Sequence, residues 1–571
     1  MLSPRDERHH LTRFRSLVDA LDAAPSDRTF ITEWTDEDEH ETVTFAEFRR
    51  RARVAASTLS RNGIGSGDRV ILVMPQGISA MATFVGAMML NAVPAFLAYP
   101  NFKIDPAKYR SGIAGVTANL RAHVVVIDEA FPDDMLVYID RGDALLLRSG
   151  PTSGEELVAA AESGPDDLAF IQHSAGTTGL QKGVALTHGA VLRHLAKLQQ
   201  TLRINPARDR IYNWLPLYHD MGLIACFLLP MACHVPVVMQ SPLDWVMHPD
   251  SMLQIISDFQ CTLAWLPNFA FQFVARRASP ERRSRFDLTS MRAFINCSEP
   301  VRAASMDEFK TVFGPLGLRA GALQSSYAMA ENVFAVTQSP IDQGPSIIWA
   351  DARSFRAERR IVSVGEGTRG ALCFVSSGRL LPGTEVQILA DSGEPSPPGQ
   401  VGEIAVRSDT LLEGYFHRPD LTAKAIIDGW YQTGDLGFVF GSDLYVVGRK
   451  NDLIIVGGEN LYPQDIEEIV SSHPAIHDGR VVALGRYNPD LGTEDIVVVA
   501  EVDDLELARD FTGLERELRE LVVAGTGVAV RSILLKPPKW IIKSTAGKPA
   551  RAATREKLFR EHPELGTEAQ E

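Results

Sequence analysis

Apolar positions recur along this chain with two different periods, and the change of period maps its organisation. Over 45–62, apolar residues return every third or fourth position among arginines, the pattern of an amphipathic helix. Arg69-Val-Ile-Leu-Val-Met74, apolar without a break after its arginine, has the pattern of a buried strand, and a helical pattern over 78–90 follows it. Further short strand patterns stand at 124–127, 211–215 and 293–296, with helical stretches between them. This alternation predicts an α/β fold whose sheets are covered by helices. The longest apolar stretch, 80–100, is interrupted by Asn91 and Pro94, so it reads as a buried helix entering a strand and no membrane span is expected.

From Leu381 the period shortens. Strand patterns at 384–389 and 402–407 flank the turn cluster Asp391-Ser-Gly-Glu-Pro-Ser-Pro-Pro-Gly399, which predicts a small β-barrel-like part over about 375–447. Gly448-Arg-Lys-Asn-Asp452 is a polar joint. A strand at 453–456, an acidic-faced helix at 463–471 and mixed patterns to about Leu558 then form a compact α+β unit. The expected division is an N-terminal domain over 1–447 with two helix-covered sheets, a hinge at 448–452, and a C-terminal α+β lid over 453–571.

Composition narrows the function classes. The chain has 571 residues, 45% of them hydrophobic, and a net charge of −15. That balance argues against a nucleic-acid backbone as partner. Anionic substrates must then meet local positive groups. Five cysteines without metal or disulfide spacing, and a charged N-terminus without an apolar core, lead to the expectation of a cytoplasmic protein.

The strongest candidate chemistry lies in His173-Ser-Ala-Gly-Thr-Thr-Gly-Leu-Gln-Lys-Gly-Val-Ala-Leu-Thr-His188, flanked by two apolar strand patterns. Gly176, Gly179 and Gly183 let a backbone turn tightly and aim its N–H groups at one point. Ser174, Thr177 and Thr178 add hydroxyl donors, and Lys182 adds a positive charge. Such a loop cradles phosphates. It is not a P-loop, because no Ser or Thr follows the lysine.

The order of this segment resembles the phosphate loop of adenylate-forming enzymes, (Tyr/Phe)-Thr-Ser-Gly-Thr-Thr-Gly-x-Pro-Lys-Gly, with departures at His173, Ala175 and Gln181. Five later segments resemble the same family in the same order. They are Tyr212-Asn-Trp-Leu-Pro-Leu-Tyr-His-Asp-Met-Gly222, Tyr327-Ala-Met-Ala-Glu331, Trp430-Tyr-Gln-Thr-Gly-Asp-Leu-Gly437, Gly448-Arg-Lys-Asn-Asp452 with its continuation, and Lys543-Ser-Thr-Ala-Gly-Lys-Pro-Ala-Arg551. The resemblance implies an ATP- and Mg²⁺-dependent enzyme that joins an acid to AMP. By resemblance, Lys548 bridges the α-phosphate and the carboxylate, and Glu331 holds Mg²⁺ with Thr178. Tyr327 stacks on adenine between Ser326 and Ala328, and Ser298, Glu299 and Pro300 line the nucleotide. Asp435 and Arg449 contact the ribose, His219 covers the acyl entrance, and Asn451 takes the pivot position. Met221, Trp265, Phe269 and Asn296 are the candidate acid pocket, an apolar one.

Three segments are similar to fatty acyl-AMP ligases in particular: Pro267-Asn-Phe-Ala-Phe271, Asn296-Cys-Ser-Glu-Pro-Val301 and Tyr462-Pro-Gln-Asp-Ile-Glu467. Glu331 and Glu403 stand 72 positions apart. That is more chain than ordinary synthetases use there, and the surplus within 347–370 resembles the insertion of that branch, which restrains the C-terminal domain. The implied acceptor is a phosphopantetheine thiol on an acyl carrier protein. The loop Gly457-Gly-Glu-Asn460 points the other way, toward coenzyme A and an acyl-CoA synthetase. Adenylation of an aryl or other small oxyacid, and a catalytically silent nucleotide-binding scaffold, stay open as alternatives.

Overall fold

The computed structural model describes residues 11–35, 39–100, 106–149, 154–157, 159–173, 182–457, 459–488, 491–502, 511–543 and 549–565. The mixed α/β architecture expected from the alternating periods is present. A parallel sheet carries the strands Leu323–Ala328, Ala293–Asn296, Leu263–Leu266, Ile211–Asn213, Val237–Gln240 and Thr29–Trp34, in that order. A second, four-stranded parallel sheet holds Val93–Phe96, Arg69–Val73, Val124–Asp128 and Leu145–Ser149. Their central strands are buried on both faces, which is why they read as continuous apolar runs without alternation, whereas the edge strand Leu145–Ser149 is partly exposed.

The helices form where the sequence supplies both a stripe and a cap. Phe45–Arg61 buries Phe45, Phe48, Ala52, Ala56 and Leu59, and the Thr44 side chain accepts from Glu47 N–H at its start. Ile78–Met89 is buried almost throughout, and no side chain of its own first turn caps it. Glu33, from the large sheet, accepts from Ile78 N–H at 2.8 Å instead. Burial pushes this carboxyl above its ordinary value.

The short strands after Leu381 do form antiparallel ribbons, Thr384–Leu389, Gly402–Ser408, Trp430–Phe440 and Asp443–Arg449. They do not stand alone: Arg379–Leu380 and Ala335–Gln338 connect them edge-on to the parallel sheet. The surplus segment folds as a small layer of its own. Ile347–Asp351 pairs with Ser363–Val364 and Ala371–Val375, and the helix Ala352–Glu358 closes it. Beyond the polar joint, Ile476–Asn488, Thr493–Val502 and Val530–Lys536 make a three-stranded sheet, with Pro463–Ser471 and Phe511–Thr526 packed on one face around Ile466, Val470, Leu518 and Val522. None of the five cysteines forms a disulfide. Among the described residues, no helix is long and apolar enough to cross a membrane.

Candidate active site

The apolar runs on either side of the glycine-rich segment pair as antiparallel strands, Leu168–His173 and Gly183–Thr187, with His173 opposite Gly183. Ser174, Gly176, Thr177, Thr178 and Gly179 lie outside the described residues. Lys182, at the loop's exit, is described and exposed. A third short strand, Gly414–Tyr415, pairs with Gly183–Thr187 and brings Tyr415 beneath the lysine. The Lys182 ammonium lies 4.8 Å from the Tyr415 ring centroid. The Tyr415 hydroxyl donates to Glu331 Oε1 at 2.9 Å and accepts from the Tyr431 hydroxyl at 2.9 Å. Burial, and then the Glu331 charge, raise both phenols above their ordinary value, so they remain protonated donors. Tyr415 therefore links the loop lysine to the candidate metal ligand. Among the described residues no group of three or more acidic, His or Cys side chains is arranged to hold a metal ion. One carboxylate held by a neutral donor fits Mg²⁺, which takes its remaining ligands from phosphate oxygens and water.

Asp435 collects the second group. Tyr327 hydroxyl donates to its Oδ2 at 2.6 Å, and Arg449 Nε lies 3.2 Å from its Oδ1. Sheet register explains the pairing, since Asp435 stands directly opposite Arg449 on neighbouring strands. Burial, followed by the Asp435 charge, pushes the Tyr327 phenol well above its usual value. Asp435 N–H donates to Thr433 Oγ1 at 3.0 Å, and Gly434 between them holds φ +71°, the left-handed region. The Ser326 hydroxyl donates to Thr337 O at 2.7 Å, so it braces the strand under Tyr327, and Ala328 follows at the strand's end.

The residues of the candidate acid pocket lie in aromatic, tightly packed surroundings. His219 Nδ1 lies 2.7 Å from Asp220 Oδ1, which orients the ring. Gly222 follows because the chain doubles back: a Cβ there would sit 2.3 Å from Pro216 O. Met221–Leu228 then winds as a fully buried π-helix, a rare form that recurs at functional sites. Ser298, at φ +76°, points its hydroxyl to the Met221 sulfur at 3.8 Å. Glu299 accepts from Phe269 N–H at 3.0 Å and so caps the helix Asn268–Arg277. Pro300 is half-buried beside it. Asn296 donates to Asn268 Oδ1 at 2.9 Å, and Trp265 is buried on the strand alongside. Trp214 and Trp245 stack at 3.6 Å, with the Phe269 ring edge-on to both. Glu299 and Asn296 thus spend visible hydrogen bonds on scaffolding, while Met221 meets Ser298 and the Phe269 ring meets Trp214 and Trp245.

Asn451 is exposed within the short turn Lys450–Asp452. Arg551 reaches this turn, pairing with Asp452 at 2.9 Å and with Glu467 at 2.6 Å. Lys548 lies outside the described residues. Its flanks are pinned together, Lys543 bridging Pro549. The 347–370 layer meets the C-terminal unit directly. Arg356 donates to Thr526 O at 2.6 Å and Gly525 O at 3.1 Å, and Arg359 donates to Asn460 Oδ1 at 2.9 Å. The rings of Phe355 and Tyr462 lie 5.3 Å apart.

Sequence reasoning missed Tyr415, Tyr431, Trp214 and Trp245. Tyr431 and Trp214 sit inside quoted motifs, which was the available signal. Nothing local marks Tyr415 or Trp245; strand pairing and stacking bring them in.

The profile of AMP-binding enzymes matches residues 18–416. The chain belongs to the AMP-binding enzyme family. It is an acid-adenylating ligase with the fold of adenylate-forming enzymes, as its motifs implied. It is similar to the long-chain-fatty-acid–AMP ligase FadD32 of Mycolicibacterium smegmatis, 29% identical over 90% of this chain and 88% of that one. It is equally similar to the medium-chain-fatty-acid–[acyl-carrier-protein] ligase JamA of Moorena producens, 29% identical over 92% and 91%. A solved chain from work on fatty acyl-adenylate ligases of E. coli and L. pneumophila superimposes with a TM-score of 0.89 at 27% identity, over 97% of this chain and 99% of that one. The AMP-binding match ends just past Tyr415, so the residue joining Lys182 to Glu331 falls within it.

Proposed function

We propose that this AMP-binding enzyme adenylates a fatty or similar apolar carboxylic acid with ATP, releases pyrophosphate, and hands the acyl group to a phosphopantetheine thiol on a carrier protein. The observation that carries the reading is the convergence of two polar groups: Asp435 held by Tyr327 and Arg449, and Glu331 held by Tyr415 beneath Lys182. The first suits a ribose and the second a phosphate tail.

The chemistry follows from charge. A carboxylate and ATP repel each other, so attack of the acid oxygen on the α-phosphorus needs both held in line and neutralised. Lys182 and the glycine-rich donors would hold the β- and γ-phosphates. Lys548 would bridge the acid and the α-phosphate as negative charge builds. Mg²⁺ on Glu331 would supply charge neutralisation at the phosphates. Asp435 and Arg449 would fix the ribose, and Tyr327 would present its face to adenine while its hydroxyl stays on Asp435. Met221, Trp265, Phe269 and Asn296, with Trp214 and Trp245, would wall the acid, and His219 would stand at its carboxyl end. The carboxyl–AMP anhydride is then open to the thiol, with AMP leaving.

Transfer would need the unit after Gly448 to turn about Asn451. We divide the protein accordingly into 1–447, the joint 448–452 and 453–571, and expect it to work in the cytoplasm. The hydrogen bonds of Arg356 and Arg359 to the C-terminal unit support a restrained joint and a carrier as acceptor. Coenzyme A is the second reading, favoured by Gly457-Gly-Glu-Asn460. Against it, the Asn460 side chain is engaged on both sides, by Arg359 and by Arg356 O. Pyrophosphate release across an acid panel with ATP and Mg²⁺, followed by acylation of a carrier against coenzyme A, tests both halves. No release with any acid would remove the adenylation reading, and faster coenzyme A ligation would move the acceptor.

A further inference from the structure

One half-buried carboxylate stands behind the ribose pair and belongs to none of the roles above. Strand Gly402–Ser408 pairs with Trp430–Phe440 at Glu403↔Leu436 and again at Ala405↔Gln432. Two steps on one strand thus oppose four on the other, so Thr433, Gly434 and Asp435 bulge out of the ladder with Gly402–Ser408, while Asp435 stays in register with Arg449 on the other side. Bulges of this kind re-aim a side chain beside a site. Glu403, half-buried with its side chain 12% exposed, closes the bulge: Oε1 accepts from Gly434 N–H at 3.1 Å. Its Oε2 accepts from Lys450 Nζ at 2.8 Å.

The two donors are chain neighbours of the two ribose residues. Gly434 immediately precedes Asp435, and Lys450 immediately follows Arg449. One carboxylate therefore grips both sides of the Asp435–Arg449 pair, which is itself 3.2 Å apart. A carboxylate suits the task because it accepts from two directions at once and adds charge against the ammonium. Lys450 also begins the turn that contains Asn451, so the grip extends to the joint.

We infer that Glu403 is a positioning residue for the ribose, holding Asp435 and Arg449 in register through Gly434 and Lys450. The inference rests on Asp435 being the ribose ligand, as proposed above. Its test is nucleotide binding by the full chain, measured calorimetrically with Mg²⁺ for ATP and for 2′,3′-dideoxy-ATP. The native protein should prefer ATP by about tenfold or more, because a site built for hydroxyls is left unpaired without them. Glu403→Gln should lower that preference to about twofold while leaving dideoxy-ATP affinity little changed. Lys450→Met, which leaves the Glu403 carboxylate in place, should do the same in part, and the double variant should go no further than Glu403→Gln. Full retention of the preference in both single variants would overturn the inference, as would an equal loss of affinity for both nucleotides accompanied by a lower melting temperature. If the native protein binds neither nucleotide, the nucleotide reading itself falls, and this inference with it.

Discussion

The proposed ribose corner and the proposed acid wall border the same large sheet, yet they hold their shape by opposite means. At the ribose corner, Tyr327, Asp435, Arg449 and Glu403 are fixed by directional contacts of 2.6–3.2 Å to named partners. At the acid wall, Trp214, Trp245, Phe269 and Met221 are fixed by packing, and few polar contacts direct them. Directional contacts tolerate little change of residue type. Packing tolerates change wherever volume is kept. Nucleotide recognition should therefore be the rigid property of this protein and acid choice the adjustable one.

Removing a ring should break the packed side most severely. Trp245→Ala leaves a cavity against Trp214 and should cost about 3–5 kcal/mol of stability, read by denaturant unfolding. Trp245→Phe should fold well and shift the order of preferred acids in a pyrophosphate-release panel. An unchanged order would remove Trp245 from the wall.

The polar side should fail in rate first. Lys548→Ala should slow adenylate formation by two to three orders of magnitude, about 3 kcal/mol, with ATP binding retained. Near-native pyrophosphate release would sink the assignment. Asp435→Asn keeps the shape but loses the charge facing Arg449. It should raise the KM for ATP about tenfold with little change in melting temperature.

Acid should weaken the scaffold behind the nucleotide side. His194 Nε2 accepts from Ala335 N–H at 3.0 Å, and burial, then Lys197, push its pKa from 6.5 down to about 3. The unfolded chain binds this proton near pH 6.5 and the folded one does not until about pH 3. Its contribution is thus fully present above pH 6.5 and is lost as pH falls through that window, by up to about 1.4 kcal/mol per pH unit. Melting temperatures across pH 7 to 4 measure the slope, and His194→Gln should flatten it.

The smallest effect concerns the acceptor. Arg356→Ala removes two hydrogen bonds to the carbonyls ending the helix Phe511–Thr526. It should raise coenzyme A thioester formation severalfold, about 1 kcal/mol, with adenylation untouched. No change would mean that this contact does not restrain the joint.

How much of this was legible from the chain alone follows the same division. Glu331, Asp435 and Arg449 stood out as candidates because a polar site needs fixed residue types at fixed spacing and short motifs preserve that spacing; the structure gives each a polar partner, Tyr415 for Glu331 and a mutual ion pair for the other two. The strands at 293–296 and 384–389 and the helix at 463–471 were readable because apolar period reports which face is buried. Tyr415 was not readable: its role depends on Gly414–Tyr415 pairing with a strand more than two hundred residues earlier. Nor was the Trp214–Trp245 stack, which needs two segments to meet, nor Glu403, whose two partners come from the strand Trp430–Phe440 and the turn Lys450–Asp452. The sequence by itself determined the chemistry and the alternating architecture, since charge, hydroxyl content and hydrophobic period are local quantities. Only the tertiary structure decided which side chains brace that chemistry, because bracing is a contact between distant segments and no local pattern encodes it.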